Sequence, residues 1–324
     1  MCVSKVKAIQ IGGYLKMKTR PIVSIIMLMH NITPWLKQSS KWTLKSIKEH
    51  TIYPACEIIV VDSCSTAFRW EKLNQEMVKD GAIVIRFEKN IGMTGGFNAG
   101  LAMATGDFIF LVENDVVVTD FWVTNALKCF AENPKCALIK AEEDDSLRNP
   151  HKKECDYNQD ERYKEIQDSN PAWLKKTLSV KPKDLDHPSF GSDAWTSLWC
   201  FAIRRSALQD IGGYLFDEKV GLNWNEDQDL IWRIRDANLK SFILPSMYVY
   251  HRAAQTCSLK GDYAKSFEKR LGAKYFREKH DVVLTDKGWP ARRKYREALL
   301  KNEGIICHEY GELGELDEYG RKIG

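Results

Sequence analysis

The feature that most constrains the fold is a set of four apolar segments in the first part of the chain, separated by stretches with helical spacing. The segments are "PIVSIIMLM" (21–29), "CEIIVVDS" (56–63), "AIVIRFE" (82–88) and "FIFLVENDVVV" (108–118). Strands that alternate with helices predict right-handed βαβ units, whose ligands bind at the carboxyl ends of the strands. The predicted fold class is therefore α/β, with a Rossmann-like, mainly parallel sheet flanked by helices.

The rest of the chain divides by composition. Further predicted elements are helices over 69–79, 120–133 and 224–240, a strand at 136–141 and a strand pair at 241–251. Residues 1–20 are predicted to be a basic, loosely ordered lead-in. Residues 142–190 are nearly all polar and cannot bury a core face, so we expect a functional loop, a lid or disorder. Residues 259–324 form a C-terminal extension.

Charge and cysteine content set the broad class. A net charge of +4 neither requires nor excludes a nucleic-acid or membrane partner. The nine cysteines contain no C-x-x-C pair, which indicates reduced thiols and argues against a zinc ribbon. There is no apolar run of about 18 residues and no secretory signal pattern. We expect a cytoplasmic protein, at most peripheral to a membrane.

Acidic residues interrupt the fourth apolar segment at "LVENDVVV". Glu113 and Asp115 alternate around Asn114, so on a strand both carboxylates would point the same way. Buried carboxylates are costly unless a positive charge meets them, and paired oxygens suit Mg²⁺ or Mn²⁺. The alternative is a solvent-exposed strand end, which the following valines disfavour.

Two features precede this step. Asp62 ends the second strand, where a carboxylate can accept from a uracil imide or a ribose hydroxyl, or can cap the following turn. In "NIGMTGGFNAG" (90–100), Gly92, Gly96 and Gly100 allow close approach of a ligand, and the helix start offers N–H groups to an anion. Close helix–sheet packing explains the same glycines equally well.

Two further features follow it. Glu226, Asp227 and Asp229 cluster at a predicted helix start, where crowding can raise a carboxyl pKa to that of a general base. The alternative is a favourable interaction with the helix dipole, with Asn225 as the cap. His251 ends an apolar run and is either a metal ligand or a structural histidine.

In their order and spacing, six segments resemble glycosyltransferases of family 2 with the A-type fold, in the branch of the rhamnosyl- and galactofuranosyltransferases. The matching segments are "PIVSIIMLMHN", "EIIVVDSCST", "NIGMTGGFNAGLAMATGDFIFLVENDV", "LWCFAIRRSALQDIGGYLFDE", "NEDQDLIWRIRDANLK" and "VYHRAAQT". The resemblance covers about residues 21–258, and it implies a nucleotide-sugar half (21–118) and an acceptor half (119–258).

The resemblance also implies residue roles. A nucleoside-diphosphate sugar of the UDP or dTDP type would contact His30, Asn31, Asp62, Asn90, Gly92, Gly96, Asn98, Glu113 and Asn114. Mn²⁺ or Mg²⁺ would be held through Asp115 and His251. Transfer to an acceptor hydroxyl would invert the sugar, with Asp227 as base beside Glu226. Glu113 stands where the family has Asp, so the resemblance leaves open whether Glu113 binds the metal.

The acceptor is the least constrained part. A glycan or lipid-linked saccharide is expected, with hydroxylated DNA bases or a non-catalytic nucleotide-sugar-binding role as alternatives. Aromatic rings can stack on sugars, so Trp195, Trp199 and Trp224, with Asp229, are placed on the acceptor side, although core tryptophans are as common. A basic patch that can bind phosphates, or simply form a solvated helix face, comprises Lys287, Arg292, Arg293, Lys294 and Arg296.

Overall fold

The structure of the chain is a computed structural model. It describes residues 8–10, 22–53, 55–144, 180–185, 197–220, 225–251, 273–285, 290–292 and 307–308. Most of the predicted 142–190 insertion lies outside these residues, as do Trp195 and Trp224. No helix among the described residues is both long enough and apolar enough to cross a bilayer.

The described elements follow the predicted alternation. The α-helices are α1 Pro34–His50, α2 Trp70–Lys79, α3 Gly92–Met103, α4 Trp122–Glu132, α5 Arg205–Asp210, α6 Glu226–Asp236 and α7 Ala273–His280. The strands are β1 Ala8–Gln10, β2 Val23–Met29, β3 Cys56–Ser63, β4 Ile83–Phe87, β5 Phe108–Glu113, β6 Val116–Val118, β7 Cys136–Asp144, β8 Lys183–Asp184, β9 Cys200–Arg204, β10 Lys240–His251, β11 Val282–Thr285, β12 Pro290–Arg292 and β13 Cys307–His308.

The main sheet has the strand order β1-β4-β3-β2-β5-β9-β7-β10-β6 over the described residues, and β8 pairs with β10. Strands β4, β3, β2 and β5 are parallel, as predicted. Strand β9 is antiparallel to both β5 and β7, and β6 is antiparallel to β10. The parallel half and the mixed half therefore meet at β5, which is parallel to β2 and antiparallel to β9.

Apolar side chains pack on both faces of the sheet. Consecutive residues of β2 alternate between two clusters: Ile25 contributes to one with Trp122 and Phe130, and Ile26 contributes to the other with Phe97. Strand residues that follow each other point to opposite faces, so β2 is buried on both sides. Burial on both faces explains why its sequence is continuously apolar.

The prediction of one strand through "LVENDVVV" is wrong. Strand β5 ends at Glu113, residues 114 and 115 form a turn, and β6 begins at Val116 on the far side of the sheet. A turn at this point lets the chain leave β2 and join β10 instead. The acidic residues therefore lie in a connection between two strands, and strand alternation does not set their directions.

Three other boundaries differ from the predictions. The predicted strand pair at 241–251 is one strand, β10, whose pairing with β7 is irregular between Leu244 and Tyr248. The lead-in contains β1, which pairs antiparallel with β4. The C-terminal extension contains α7 and a small sheet of the order β12-β11-β13. Asn225 does precede α6, but its φ is 70° and its side chain makes no cap hydrogen bond.

Candidate active site

The turn that carries Asp115 is anchored by a buried amide. The Asn114 side chain donates to Asn31 Oδ1 and to Ser40 Oγ, each at 3.1 Å. Ser40 Oγ also donates to Asn31 Oδ1 at 2.8 Å. This network joins the turn to α1 and to the end of β2, and all three residues are buried. Asn31 and Asn114 therefore position the turn, because the hydrogen bond between their side chains holds the turn against the end of β2.

Sheet register brings His251 to the same turn. His251 is the last residue of β10 and pairs with Val116, the residue after Asp115. The imidazole Nε2 lies 3.5 Å from Asp115 Oδ1. One ligand atom from each of Glu113, Asp115 and His251 lies within 4.8 Å of the others. The structure thus brings together the two predicted metal ligands and the acid whose role the sequence left open.

Two atoms of this cluster, which face each other at 3.5 Å, make no hydrogen bond to the rest of the protein. Asp115 Oδ1 and His251 Nε2 are buried, and neither has a hydrogen-bond partner. Buried polar atoms without partners are rare in folded proteins and call for an explanation such as an ion. A carboxylate oxygen and an imidazole nitrogen are ligands that Mn²⁺ accepts, and Mg²⁺ prefers the oxygens. The three residues, named here the metal-site cluster, therefore fit a divalent cation.

The charges around the cluster are unbalanced. Burial alone would lower the pKa of His251, but the negative charges of Asp115, Glu143 and Glu113 outweigh it and raise the pKa to about 10. Burial, and after it the charge of Asp115, raises the pKa of Glu113 to about 8. An ion of charge +2 would relieve the carboxylate repulsion, because it favours the ionised forms of its neighbours.

Asp227 lies beside the cluster at the start of α6. The Leu198 N–H donates to Asp227 Oδ2 at 2.9 Å, while the buried Oδ1 has no hydrogen-bond partner. The next residue along, Trp199, accepts from the Glu113 N–H at 3.0 Å. Burial raises the pKa of Asp227 to about 7, against the Leu198 hydrogen bond and the charge of Lys140. A carboxyl with this pKa can accept a proton near neutral pH. Its neighbour Glu226 is buried.

Asp62 closes the turn after β3, which is the structural role that the sequence offered beside nucleotide binding. Its side chain is wholly buried, and it accepts from the Ser65 N–H (2.7 Å), Asn74 Nδ2 (2.7 Å) and an Arg86 N–H (2.6 Å). The bond from Ser65 is that of an Asp closing a turn. The other two bonds use the second oxygen, so both oxygens are engaged by the protein. A nucleotide base would have to displace one of these partners.

The remaining donor-side residues are His30, which follows β2, and Asn90 and Gly92, which follow β4, and their contacts meet at the end of β3. His30 Nδ1–H donates to the Ser63 carbonyl at 2.6 Å. Asn90 Oδ1 accepts from Ser63 Oγ at 3.0 Å and from the Gly92 N–H at 2.8 Å. Gly92 has a φ of 72°, which favours glycine. These contacts fix the start of α3 against the end of β3.

Three residues of the predicted donor segment make contacts within the fold: they are Gly96, Gly100 and Asn98. A Cβ at Gly96 would lie 2.4 Å from Leu28 Cδ1, and one at Gly100 would lie 2.3 Å from Ile26 Cγ2. These glycines therefore allow α3 to lie closely against β2. The Asn98 amide donates to the Phe216 carbonyl at 2.9 Å and accepts from the Phe216 N–H at 3.1 Å. Asn98 thus binds the segment after α5.

The structure places two of the predicted acceptor-side residues in the protein interior. Trp199 is 3% exposed and stacks on the His251 ring, with centroids 4.7 Å apart, so it is a core residue beneath the site. Asp229 is wholly buried: Arg233 binds its Oδ2, and Lys279 and His280 bind its Oδ1, each at 2.7 Å. Burial alone would raise the pKa of Asp229, but these partners lower it to about 2.

Sequence reasoning missed several contributors. Glu143 binds His251 Nδ1 at 3.0 Å, and Lys140 lies 4.8 Å from the centre of the Trp199 ring. Both come from β7, at the border of the polar insertion, where "KAEEDDS" gives no sign of which acid turns inward. Lys279 and His280 lie in the C-terminal extension, beyond the resembling segments. Of the predicted basic patch, only Arg292 lies among the described residues.

Comparison with known proteins settles the family. The model of the family "Glycosyl transferase family 2" matches residues 24–212, more than half of the chain. The chain belongs to this family. Its N-acetylgalactosaminyltransferase 6 relative in Drosophila melanogaster is 26% identical over 264 residues, which cover 78% of this chain. The chain spans 38% of the length of that relative.

Solved structures share the A-type fold of this family 2 chain. The mannosyltransferase PcManGT from Pyrobaculum calidifontis, in complex with GDP-Man and Mn²⁺, is 19% identical with a TM-score of 0.50, over 80% of this chain and 65% of that one. GalNAc-T7 with UDP, GalNAc and Mn²⁺ is 15% identical with a TM-score of 0.53, over 89% of this chain and 57% of that one. The predicted fold class is confirmed. The rhamnosyl and galactofuranosyl branch stays a prediction.

Proposed function

We propose that this family 2 chain transfers a sugar from a nucleoside-diphosphate sugar to an acceptor hydroxyl, with a divalent cation and with inversion at the sugar. The observation that carries the proposal is the convergence, at one edge of the sheet, of the metal-site cluster and the half-buried Asp227 carboxyl. The cluster supplies ligand atoms without partners, and Asp227 supplies a proton acceptor beside it.

Asp115 and His251 would hold the ion, and Glu113 would complete the protein ligands or hydrogen-bond a metal-bound water. When bound, Mn²⁺ or Mg²⁺ stabilises the negative charge that develops on a diphosphate leaving group. The chain's part is to hold the ligand atoms in place. The Asn31–Ser40–Asn114 network fixes the Asp115 turn, and the β10–β6 register fixes His251 beside it.

Asp227 would remove the proton from the acceptor hydroxyl. The Leu198 N–H holds one of its oxygens and leaves the other without a partner, so the free oxygen can face the hydroxyl. Inversion needs a single displacement, and hence one base and no enzyme nucleophile. A pKa of about 7 places this group near the value at which a general base is most effective at neutral pH.

UDP-sugars are the first donors to test. One structural neighbour binds UDP-GlcNAc, another binds UDP with GalNAc, and a third binds GDP-Man. For the acceptor we retain the expectation of a saccharide hydroxyl, free or lipid-linked.

The test is a thermal-shift panel of UDP-, dTDP- and GDP-sugars with and without Mn²⁺, because a ligand stabilises only the state that binds it. We expect at least one nucleotide sugar to raise Tm, and to raise it more with Mn²⁺ than without. The stabilising donor is then incubated with Mn²⁺ and followed for release of free nucleoside diphosphate. Binding without release would support the non-catalytic alternative, and no stabilisation by any donor would contradict the proposal.

A further inference from the structure

One acid outside the metal-site cluster contacts it directly. Glu143 Oε2 lies 3.0 Å from His251 Nδ1, and its side chain is 15% exposed. In the parallel pairing of β7 with β10, Glu143 lies opposite Val249, two residues before His251. The carboxylate therefore approaches the imidazole from the strand next to β10, on the side away from Asp115.

The two imidazole nitrogens have different surroundings. Nδ1 is engaged by Glu143, whereas Nε2 faces Asp115 Oδ1 at 3.5 Å and has no hydrogen-bond partner. A carboxylate can only accept, so Nδ1 carries a hydrogen in this arrangement. The nitrogen left for an ion is then Nε2, the one that points into the metal-site cluster.

Packing fixes the remaining freedom of the ring. The Trp199 indole stacks on the imidazole at 4.7 Å with an interplanar angle of 27°. Stacking restricts the plane of the ring, and the bond from Nδ1 to Glu143 selects one of the two ring orientations that differ by a 180° flip about the Cβ–Cγ bond. Glu143 itself contributes no atom to the 4.8 Å cluster.

We propose that Glu143 is the positioning residue for His251: it holds the imidazole so that Nε2 is presented to the metal. The inference rests on the proposed function, because it requires that His251 bind a metal. Carboxylates that hold a ligating histidine through its other nitrogen typically account for about 10–100-fold in metal affinity. Glu143 would act through His251 without touching substrate.

The experiment measures Mn²⁺ affinity with UDP present and, by pulsed EPR, the coupling of bound Mn²⁺ to a histidine nitrogen. We expect Glu143→Ala to weaken Mn²⁺ binding by about 10–100-fold and to diminish the nitrogen coupling. Glu143→Met removes the same acceptor while keeping more of the side-chain volume, and it tests the same point if the alanine variant fails to fold. Glu143→Gln keeps an acceptor oxygen and should bind more tightly than Glu143→Met.

The matched control is Glu142→Gln. Glu142 precedes Glu143 on β7, points to the other face, and pairs with Lys183 at 3.1 Å. This variant should keep wild-type Mn²⁺ affinity and nitrogen coupling. If Glu143→Ala or Glu143→Met kept wild-type Mn²⁺ affinity and wild-type nitrogen coupling, the positioning role of Glu143 would be overturned, while the proposed function would stand. A wild-type protein whose bound Mn²⁺ shows no nitrogen coupling would overturn the proposed role of His251 as well.

Discussion

Two pairs of aspartates, three of them buried and Asp227 half-buried, differ in what they contact. Asp62 and Asp229 have both oxygens engaged by protein donors, including Arg86 for the first and Arg233, Lys279 and His280 for the second. Asp115 and Asp227 each keep a buried oxygen without a hydrogen-bond partner. Burial of a carboxylate costs free energy in every case. We call the first pair compensated because protein donors bind both oxygens. The second pair is uncompensated at one oxygen, where Asp115 has only its ion pair with His251 at 3.5 Å.

The difference separates aspartates that hold the fold together from aspartates that are placed for a chemical role. A compensated carboxylate joins elements: Asp62 joins β3 to β4 through Arg86, and Asp229 joins α6 to α7. An uncompensated one is retained at a cost in stability, as is common where a ligand or a proton is handled. All four aspartates were candidate site residues by sequence, and their partners sort them into two kinds.

The largest effect is expected for Asp227→Asn. The variant keeps the shape of the side chain and removes the base, so transfer should fall by about two to four orders of magnitude. Donor affinity should stay close to wild type, and Tm should not fall, because the neutral amide is buried without the protonation that the Asp227 carboxyl requires. Transfer is followed by release of the nucleoside diphosphate in the presence of acceptor.

Asp236→Asn is the control for this variant, because Asp236 is exposed at the other end of the same helix. It should transfer at the wild-type rate. If Asp227→Asn also turned over at that rate, Asp227 would not be the base.

The next effect should appear in stability. Asp229→Ala leaves Arg233 and Lys279 without their buried carboxylate, and breaking such a pair typically costs about 3–5 kcal/mol. The free energy of unfolding, from denaturant titration, should fall by that amount. The Mn²⁺ affinity of the protein that remains folded should be unchanged. A variant of wild-type stability with weakened Mn²⁺ binding would show that Asp229 belongs with Asp115 and Asp227 and not with Asp62.

The smallest effect, when measured over one pH unit, is a dependence of stability on pH. The pKa of Asp227 is raised to about 7 in the folded protein, so the folded state holds a proton that the unfolded state loses near pH 4. Between those values, metal-free wild type should lose up to about 1.4 kcal/mol per pH unit relative to Asp227→Asn. Chemical denaturation of both proteins with EDTA at several pH values measures the difference. Parallel curves from pH 4 to 7 would show that Asp227 is not held in its neutral form.

Much of the fold followed from the sequence because the hydrophobic pattern is local. The β2–β5 half has continuous apolar strands with helices between them, and its predicted parallel pairing is confirmed. The break between β5 and β6 was missed because it depends on β10, which lies more than 120 residues later and offers β6 an antiparallel edge. Pairing at that distance leaves no local signal.

The sequence predicted the residues proposed to bind the metal and act as base, but it did not predict most of the residues that contact them. Asp115 and His251 stand out because an acid or a histidine within or at the end of an apolar run is unusual, and Asp227 stands out in an acidic cluster at a predicted helix start. Asp62 and Asp229 stand out for the same reasons, and only the positions of Arg86, Lys279 and His280 show that they are compensated. Glu143 was missed because it is one of four consecutive acids at the start of a polar segment.

The central claim is that Asp115 Oδ1 and His251 Nε2, with Glu113, bind a divalent cation. The most direct measurement is a calorimetric titration of metal-free protein with Mn²⁺ in the presence of UDP, for wild type and Asp115→Asn. We predict saturable binding of one Mn²⁺ by the wild type and a loss of at least about tenfold in affinity for Asp115→Asn. Equal binding by the two proteins, or no binding by the wild type, would contradict the account.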